Sequence, residues 1–186
     1  MAAPHRIRII GGSHRGRLVP VAAVAGLRPT PDRVRETLFN WLGQDLSGAA
    51  TLELYAGTGV LSLEALSRGA ALAVAVDRSP ALMAALTATA AKIGIAGLEG
   101  HVADALRYLR TERRMFDVVF IDPPFADDPW QPLLAALAPV IRESSFVYAE
   151  ASRPIVPPPA LDVVRQARAG GVHYHLLARN ALAANR

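Results

Sequence analysis

From residue 51 onward, short apolar runs of strand type alternate with segments whose apolar positions recur at helical spacing. Strands are predicted at 51–55, 71–76, 98–102, 116–121 and 146–149, and helices at 60–68, 80–93, 105–110 and 132–140. Gly69 closes the first of these helices. Such alternation builds βαβ units around a parallel sheet. Pro157-Pro158-Pro159 reads as a loop. Two last strands, near 161–164 and 172–177, flank Gly170-Gly171 and add an antiparallel pair at one edge.

The first fifty residues follow another pattern. Apolar runs at 6–10 and 17–21 flank Gly11-Gly12-Ser13-His14-Arg15-Gly16, which predicts a β-hairpin. Thr30-Pro31-Asp32 then opens a helix, with Thr30 as hydroxyl N-cap, Pro31 at the first helical position and an acid in the first turn. Val34, Leu38, Trp41 and Leu42 form its apolar stripe, Arg33 and Glu36 fall off it, and Gly43 ends it. Two parts are expected: a small hairpin extension over 1–27 and an α/β domain over 28–186.

Charge sharpens that division. Residues 1–40 hold seven arginines against two acids, a net of +5, whereas the rest of the chain nets −1. A localised basic patch is the usual footprint of phosphate-backbone binding. A solvated arm rich in arginine accounts for it as well. Arg35 has two readings too, a contact with a ligand and a local pair with Asp32 or Glu36.

The chain of 186 residues has 52% hydrophobic and 19% charged positions, which excludes a largely disordered protein. It has no cysteine, which excludes disulfides, Cys-ligated zinc and thiol nucleophiles. His173 and His175 share a strand face but lack an evident third ligand, so no metal is expected. No apolar run approaches the roughly 18–20 residues that span a bilayer. A soluble, cytoplasmic, monomeric protein without membrane contact is expected.

Two motifs carry candidate chemistry. Glu53-Leu54-Tyr55-Ala56-Gly57-Thr58-Gly59 leaves a strand and opens a helix, and Asp77 ends the next strand. Glycines there allow a tight turn and close approach of a ligand, and Asp77 suits a ribose diol. A dinucleotide would want Gly or Ala where Ser62 stands. The acid Glu53 suits a cationic amino group, as in S-adenosylmethionine, and would repel a pyrophosphate. A tight turn without ligand remains a third reading.

Asp122-Pro123-Pro124-Phe125 follows the most apolar strand. Tandem prolines fix the backbone, so the Asp122 carboxylate and the Pro123 carbonyl form two rigid acceptors. Phe125 offers a face on which a planar base can stack. An exocyclic amino group is a poor nucleophile because its lone pair is delocalised into the ring. Two acceptors on its N–H bonds favour pyramidal nitrogen and localise that pair. Asp122 or water can then take the released proton.

These motifs together resemble the class I S-adenosylmethionine-dependent amino-methyltransferases. Arg8-Ile-Ile-Gly-Gly with Arg15-Gly-Arg17, the block from Arg28-Pro-Thr-Pro-Asp-Arg to Phe-Asn-Trp-Leu42, and Glu64-Ala-Leu-Ser-Arg-Gly-Ala70 resemble the bacterial RsmD family more closely. That family methylates N2 of one guanine in small-subunit (16S) ribosomal RNA. The likeness runs from about residue 6 to 177, and the block from Arg28 to Leu42 is its most specific part.

The resemblance implies a Rossmann-like class I domain, a mostly parallel seven-stranded sheet with helices on both faces, behind an N-terminal β-hairpin. It implies that Glu53, Tyr55, Ala56, Gly57 and Gly59 hold the methionine end of the donor. Asp77 and Arg78 would serve the ribose side, Asp104 and Ala105 the adenine, and Asp122, Pro123, Pro124 and Phe125 the target guanine. Arg6, Arg8, Arg15, Arg17, Arg28 and Arg33 would grip 16S rRNA, within an assembling or assembled small subunit. Glu53, Tyr55 and Asp77 stand where the family more often has Asp, Phe and Glu, changes that keep charge or ring. Thr89-Ala-Ala-Lys92 lacks the Asn common there, and the loop Asp127-Asp128-Pro129-Trp130 is unusual. Glu150 reads either as lining the pocket or as an edge-strand acid facing solvent. The enzymatic rival is an amino-methyltransferase acting on adenine N6, on DNA or on another RNA. The rival of another class is a nucleic-acid-binding protein with a vestigial Rossmann body.

Overall fold

The computed structural model describes residues 6–20 and 30–180. Strands β1 (Arg6–Arg8) and β2 (Leu18–Pro20) pair antiparallel, with Ile7 opposite Val19. The main sheet holds β3 (Ala50–Leu54), β4 (Leu72–Asp77), β5 (Leu98–Val102), β6 (Phe116–Ile121), β7 (Ile141–Ala151), β8 (Leu161–Ala169) and β9 (Val172–Arg179). Its order is β5-β4-β3-β6-β7-β9-β8. β3 to β7 are parallel, and β9 and β8 join antiparallel at the edge. This is the Rossmann-like architecture the alternation predicts.

The pleat sorts side chains into two cores. Leu52, Leu54, Val119, Ile121 and Val147 face α4 (Ala105–Thr111) and α5 (Trp130–Ala136). Ala73, Ala75, Phe120, Tyr148 and Leu176 face the opposite core. There they meet α1 (Asp32–Leu42), α2 (Val60–Ser67), α3 (Pro80–Ile93) and the inward Ile7, Ile9 and Val19 of the hairpin.

The hairpin turn sits on the C-terminal end of α2. The Ser13 amide donates to the Ser67 carbonyl at 2.7 Å, and the His14 amide donates to the Ser67 hydroxyl at 2.9 Å. Gly12 has φ +73° and lies so close that a Cβ would fall 1.8 Å from the Ser67 carbonyl oxygen. Only glycine fits there.

A buried ion pair completes the joint. Arg35, fully enclosed on α1, donates Nη1–H to Glu64 Oε1 at 2.6 Å, and neither side chain is exposed. Its Nη2 donates to Asp32 Oδ1 at 2.6 Å and to the Arg8 carbonyl at 2.9 Å. Glu64 also accepts the amides of Ile10 at 2.5 Å and Gly11 at 3.3 Å. Arg35 therefore packs internally and offers nothing to RNA.

Three local expectations change. α1 begins one residue late, with Pro31 at the N-cap and no side-chain cap. The Thr30 hydroxyl is engaged with Glu150 instead. β7 is 11 residues long, far beyond 146–149, because a bulge between Phe116 and Val118 lets pairing restart at Ile141. The helix expected at 132–140 divides into α5 and a 3-10 turn at Ala138–Val140. Arg28, Val21 and the proposed boundary at 27/28 lie outside the described residues. Among the described residues no helix is long and apolar enough to cross a membrane.

Removing one partner of a buried pair strands the other charge, at a cost of about 3–5 kcal/mol. Glu64→Ala should destabilise the protein by about that much in urea unfolding. It should also speed hydrogen exchange at the Ile10 and Gly11 amides, which lose their acceptor. Unchanged exchange there would show that the hairpin docks without Glu64.

Candidate functional site

β3 and β6 lie side by side and parallel, yet the chain leaves them toward opposite edges of the sheet. Ligands in open α/β sheets bind at such a switch point, beyond the carboxyl ends of the strands. Leu54 pairs with Ile121, so Tyr55 and Asp122 emerge next to each other. Both sequence motifs thus open into one cleft.

The loop after β3 is bent by three left-handed residues, Tyr55, Gly57 and Gly59. Gly59 caps α2 at φ +67°, and a Cβ on it would sit 2.3 Å from the Leu86 side chain. Asp77 ties the neighbouring loops together. Its Oδ2 accepts the Gly57 amide and its Oδ1 the Ser79 amide, each at 2.9 Å. The Ala56 amide donates to the Val76 carbonyl at 3.0 Å.

Glu53, the penultimate residue of β3, points to the Phe120 side of the sheet and is almost fully buried. Its Oε2 accepts the Ser62 amide at 2.9 Å and, more closely, the Ser62 hydroxyl. Burial pushes its pKa up to about 7, against the pull of the Ser62 bonds and with a small push from the Asp77 charge. Asp104 sits in the opposite regime. It caps α4 by accepting the Arg107 amide at 3.0 Å, and it pairs with Arg78, so its carboxyl is held below the usual range. Arg78 thereby bridges the loops after β4 and β5. Tyr55 stands within electrostatic reach of Asp104, Arg78 and Asp127. Ala105 is buried at the start of α4.

The Asp122 carboxyl has no hydrogen-bond partner among the described residues. Burial, then the charges of Glu150 and Glu53, raise its pKa well above the carboxylate range. Pro123 is buried, while Phe125 keeps 43% of its surface exposed and its ring available. The following loop folds back, with the Asp127 amide on the Pro124 carbonyl at 3.0 Å. Asp128 pairs with Arg153 at 2.6 Å, fastening this loop to the end of β7. A shallow depression runs between Pro124, Phe125, Trp130 and Ser152.

Glu150 is where sequence reasoning stopped at two readings. β7 lies inside the sheet, because β9 and β8 cover its far side, and Glu150 is only 4% exposed. The signal was the two-residue step it shares with Asp122. Phe120 faces Tyr148 in register, and Asp122 and Glu150 each follow two positions later.

The arginines of the extension divide. Arg6, Arg8, Arg15, Arg17 and Arg33 are exposed, and none forms an ion pair among the described residues.

A family model described as "Conserved hypothetical protein 95" matches residues 7–178. A Haemophilus influenzae protein named ribosomal RNA small subunit methyltransferase D is 32% identical over 182 residues, covering 94% of each chain. The Escherichia coli protein of that name is 44% identical over 120 residues, 64% of this chain. That match spans 61% of the Escherichia coli relative, less than two thirds of its length. Among solved structures, yhhF from Escherichia coli superposes with a TM-score of 0.86 at 36% identity, covering 95% of this chain and 99% of that one. HI0767 from Haemophilus influenzae gives 0.82 at 28% identity, covering 94% and 99%.

The Glu53 carboxyl should titrate near pH 7 in the ligand-free protein, followed by carbon NMR. The Ser62 hydroxyl stabilises the charged form, so Ser62→Ala should move that titration further up. A midpoint near the ordinary glutamate value would mean that water reaches Glu53.

Proposed function

The chain belongs to the family described as "Conserved hypothetical protein 95", that of the ribosomal RNA small subunit methyltransferase D proteins, and on that premise we propose that it methylates the exocyclic N2 amine of a guanine in 16S rRNA, with S-adenosylmethionine as donor. One observation carries the chemistry: the Gly57/Gly59 loop and the Asp122-Pro123-Pro124-Phe125 loop leave adjacent parallel strands at the switch point of the sheet.

The residues fit the donor. Carboxyl groups stand on three successive strands or just beyond them, at Glu53, Asp77 and Asp104, matching an ammonium, a ribose diol and an adenine amine. Gly57 and Gly59, both left-handed, turn the chain sharply between β3 and α2 at the carboxyl edge of the sheet. S-adenosylmethionine supplies an electrophilic methyl group on a sulfonium.

Each residue has a defined task. Glu53, once ionised, faces the ammonium end of the donor. Tyr55, Ala56 and Gly57 line its approach. Asp77 keeps a free lone pair on each oxygen beside its two amide bonds, and these accept the ribose hydroxyls. Asp104 offers a second lone pair beside Arg78, and Ala105 walls the ring. Asp122 and the Pro123 carbonyl accept the two N2–H bonds, and Phe125 stacks on the base. The nitrogen lone pair forms the N–C bond while the methyl–sulfur bond breaks, its electrons staying on sulfur. The proton released from nitrogen passes to the Asp122 carboxylate. Neighbouring acids raise the basicity of that carboxylate, which favours this last transfer.

The exposed arginines Arg6, Arg8, Arg15, Arg17 and Arg33 supply the phosphate contacts. A hairpin this short reads little sequence, so the shape of the small subunit helps to select the base.

Incubation with methyl-labelled donor and small subunits lacking the modification should give N2-methylguanosine on nucleoside analysis. Asp122→Ala should lower that turnover at least about 100-fold while leaving donor binding within severalfold by calorimetry. Near-normal turnover would remove Asp122 from the chemistry. Replacing Arg6, Arg8, Arg15 and Arg17 together by Ala should weaken RNA binding and reduce the slope of log affinity against log salt by roughly three to four. An unchanged slope would take the hairpin out of the interface.

A further inference from the structure

Glu150 belongs to the cleft by position and has no partner that explains its burial as a charge. Phe120 and Tyr148 face each other across the parallel strands β6 and β7, and Asp122 and Glu150 stand two residues beyond them. Neighbouring strands lie about 4.8 Å apart, so the two carboxyl-bearing residues flank one narrow gap. Neither forms an ion pair among the described residues. Glu150 is held by neutral hydroxyls alone. Tyr148 donates its O–H to Oε1 at 2.9 Å, and the Thr30 hydroxyl engages it from the segment before α1.

Two acids side by side without a cation, Glu150 buried and Asp122 half-buried, are costly in the free protein. Their cost falls when a ligand brings a row of N–H donors into the gap. Guanine has such a row on one edge, N1–H next to the N2 amine. Adenine instead sets an unprotonated N1 beside its amine, and that lone pair would meet a carboxylate unfavourably.

We propose that Glu150 is a specificity-determining residue that accepts the N1–H of the target guanine while Asp122 and the Pro123 carbonyl hold its N2 amine. The proposal rests on the methyl-transfer reading and adds the basis on which the base is chosen. Tyr148 and Thr30 act as positioning residues, since their hydroxyls orient the Glu150 carboxylate. Their two O–H bonds also favour its ionised form, against the effect of burial.

The probe is 2-aminopurine, which keeps the amine at C2 but lacks the proton on N1. Small subunits are reconstituted with 16S rRNA bearing guanine or 2-aminopurine at the methylated position. The unaltered enzyme should prefer guanine in kcat/KM by at least about 10-fold, the discrimination expected of a specific base-edge contact. Glu150→Gln keeps size and can turn its amide N–H toward an unprotonated N1, so its preference should fall to within a few-fold. Glu150→Ala should do the same at lower overall rate. Donor binding by calorimetry should stay within severalfold in both variants. Equal loss on the two substrates, with the preference intact, would make Glu150 a structural residue and overturn the proposal. An unaltered enzyme that methylates guanine and 2-aminopurine equally would also overturn it, while leaving the methyl-transfer reading in place. An unaltered enzyme that methylates neither, with its donor bound, would remove the parent reading and this one with it.

Discussion

Arg35 and Glu64 meet at 2.6 Å with neither side chain exposed. Alone in that interior, either charge would cost several kcal/mol. Together they collect the loose ends of three segments. Glu64 takes the amides that follow β1, Arg35 takes the carbonyls of Arg8 and Thr30, and Arg68 lies against both Glu64 and the Phe39 ring. A buried pair of this kind adds less to stability than an apolar contact of equal volume. Its value lies in fixing one arrangement. The guanidinium accepts only acceptors set in its plane, so the hairpin, α1 and α2 can join in one way. The same device leaves Arg6, Arg8, Arg15 and Arg17 turned outward, because Ile7, Ile9 and Val19 take the inner face.

The site uses carboxyl groups in two electrostatic regimes. Asp77 and Asp104 are met by backbone amides, and Asp104 also by Arg78. These bonds hold the Asp104 carboxyl below the usual carboxylate range. Glu53 and Glu150 are buried and Asp122 half-buried near one another, and loss of solvent raises all three. They gather on the side of the sheet that also carries Phe120 and Tyr148. The division maps onto the proposed ligands. On the proposed reading, the amide-bound pair would face the neutral hydroxyls and amine of a nucleoside, and the raised group a cation and a base that gives up a proton. A free protein that holds its acids uncompensated binds best the ligands that supply the missing donors.

Most of the fold was legible because its signals are local. Strand β6 and helix α3 have the bounds the pattern predicts, since apolar runs and Pro80/Gly94 mark them directly. Both motifs fall on loops that leave adjacent parallel strands at the switch point of the sheet. What escaped depended on contacts between distant residues. Thr30 has the sequence of an N-cap, yet its hydroxyl serves Glu150, about 120 residues away. Arg35 makes the Asp32 pair that one of its two readings held, but its buried partner Glu64, 29 residues away, was not legible from its neighbours. The full length of β7 rests on a bulge and on a partner strand, β9, that comes later in the chain. Glu150 kept two readings for the same reason, because the predicted closing pair of strands carries no local signal that it joins the sheet beside β7.

The geometry also constrains how RNA would meet the site. α2 starts at the Gly57/Gly59 loop and ends at Ser67, which holds the hairpin turn. Eight helical residues span about 12 Å. Arg15, on the turn, therefore lies about that far from the donor loop along the α2 axis, toward the amino edge of the sheet. Arg33 stands at the other extreme, at the start of α1, close to the Thr30–Glu150 contact. The exposed guanidinium groups thus run along one flank toward the cleft rather than around its mouth. A folded RNA held by that flank presents its backbone to the hairpin, while the acids wait at the carboxyl edge. To reach Asp122, the target base must leave its stack and enter the cleft on its own. Recognition then divides between two tasks. On the proposed reading, the flank would read charge and shape, and the acids of the cleft the edge of a single base.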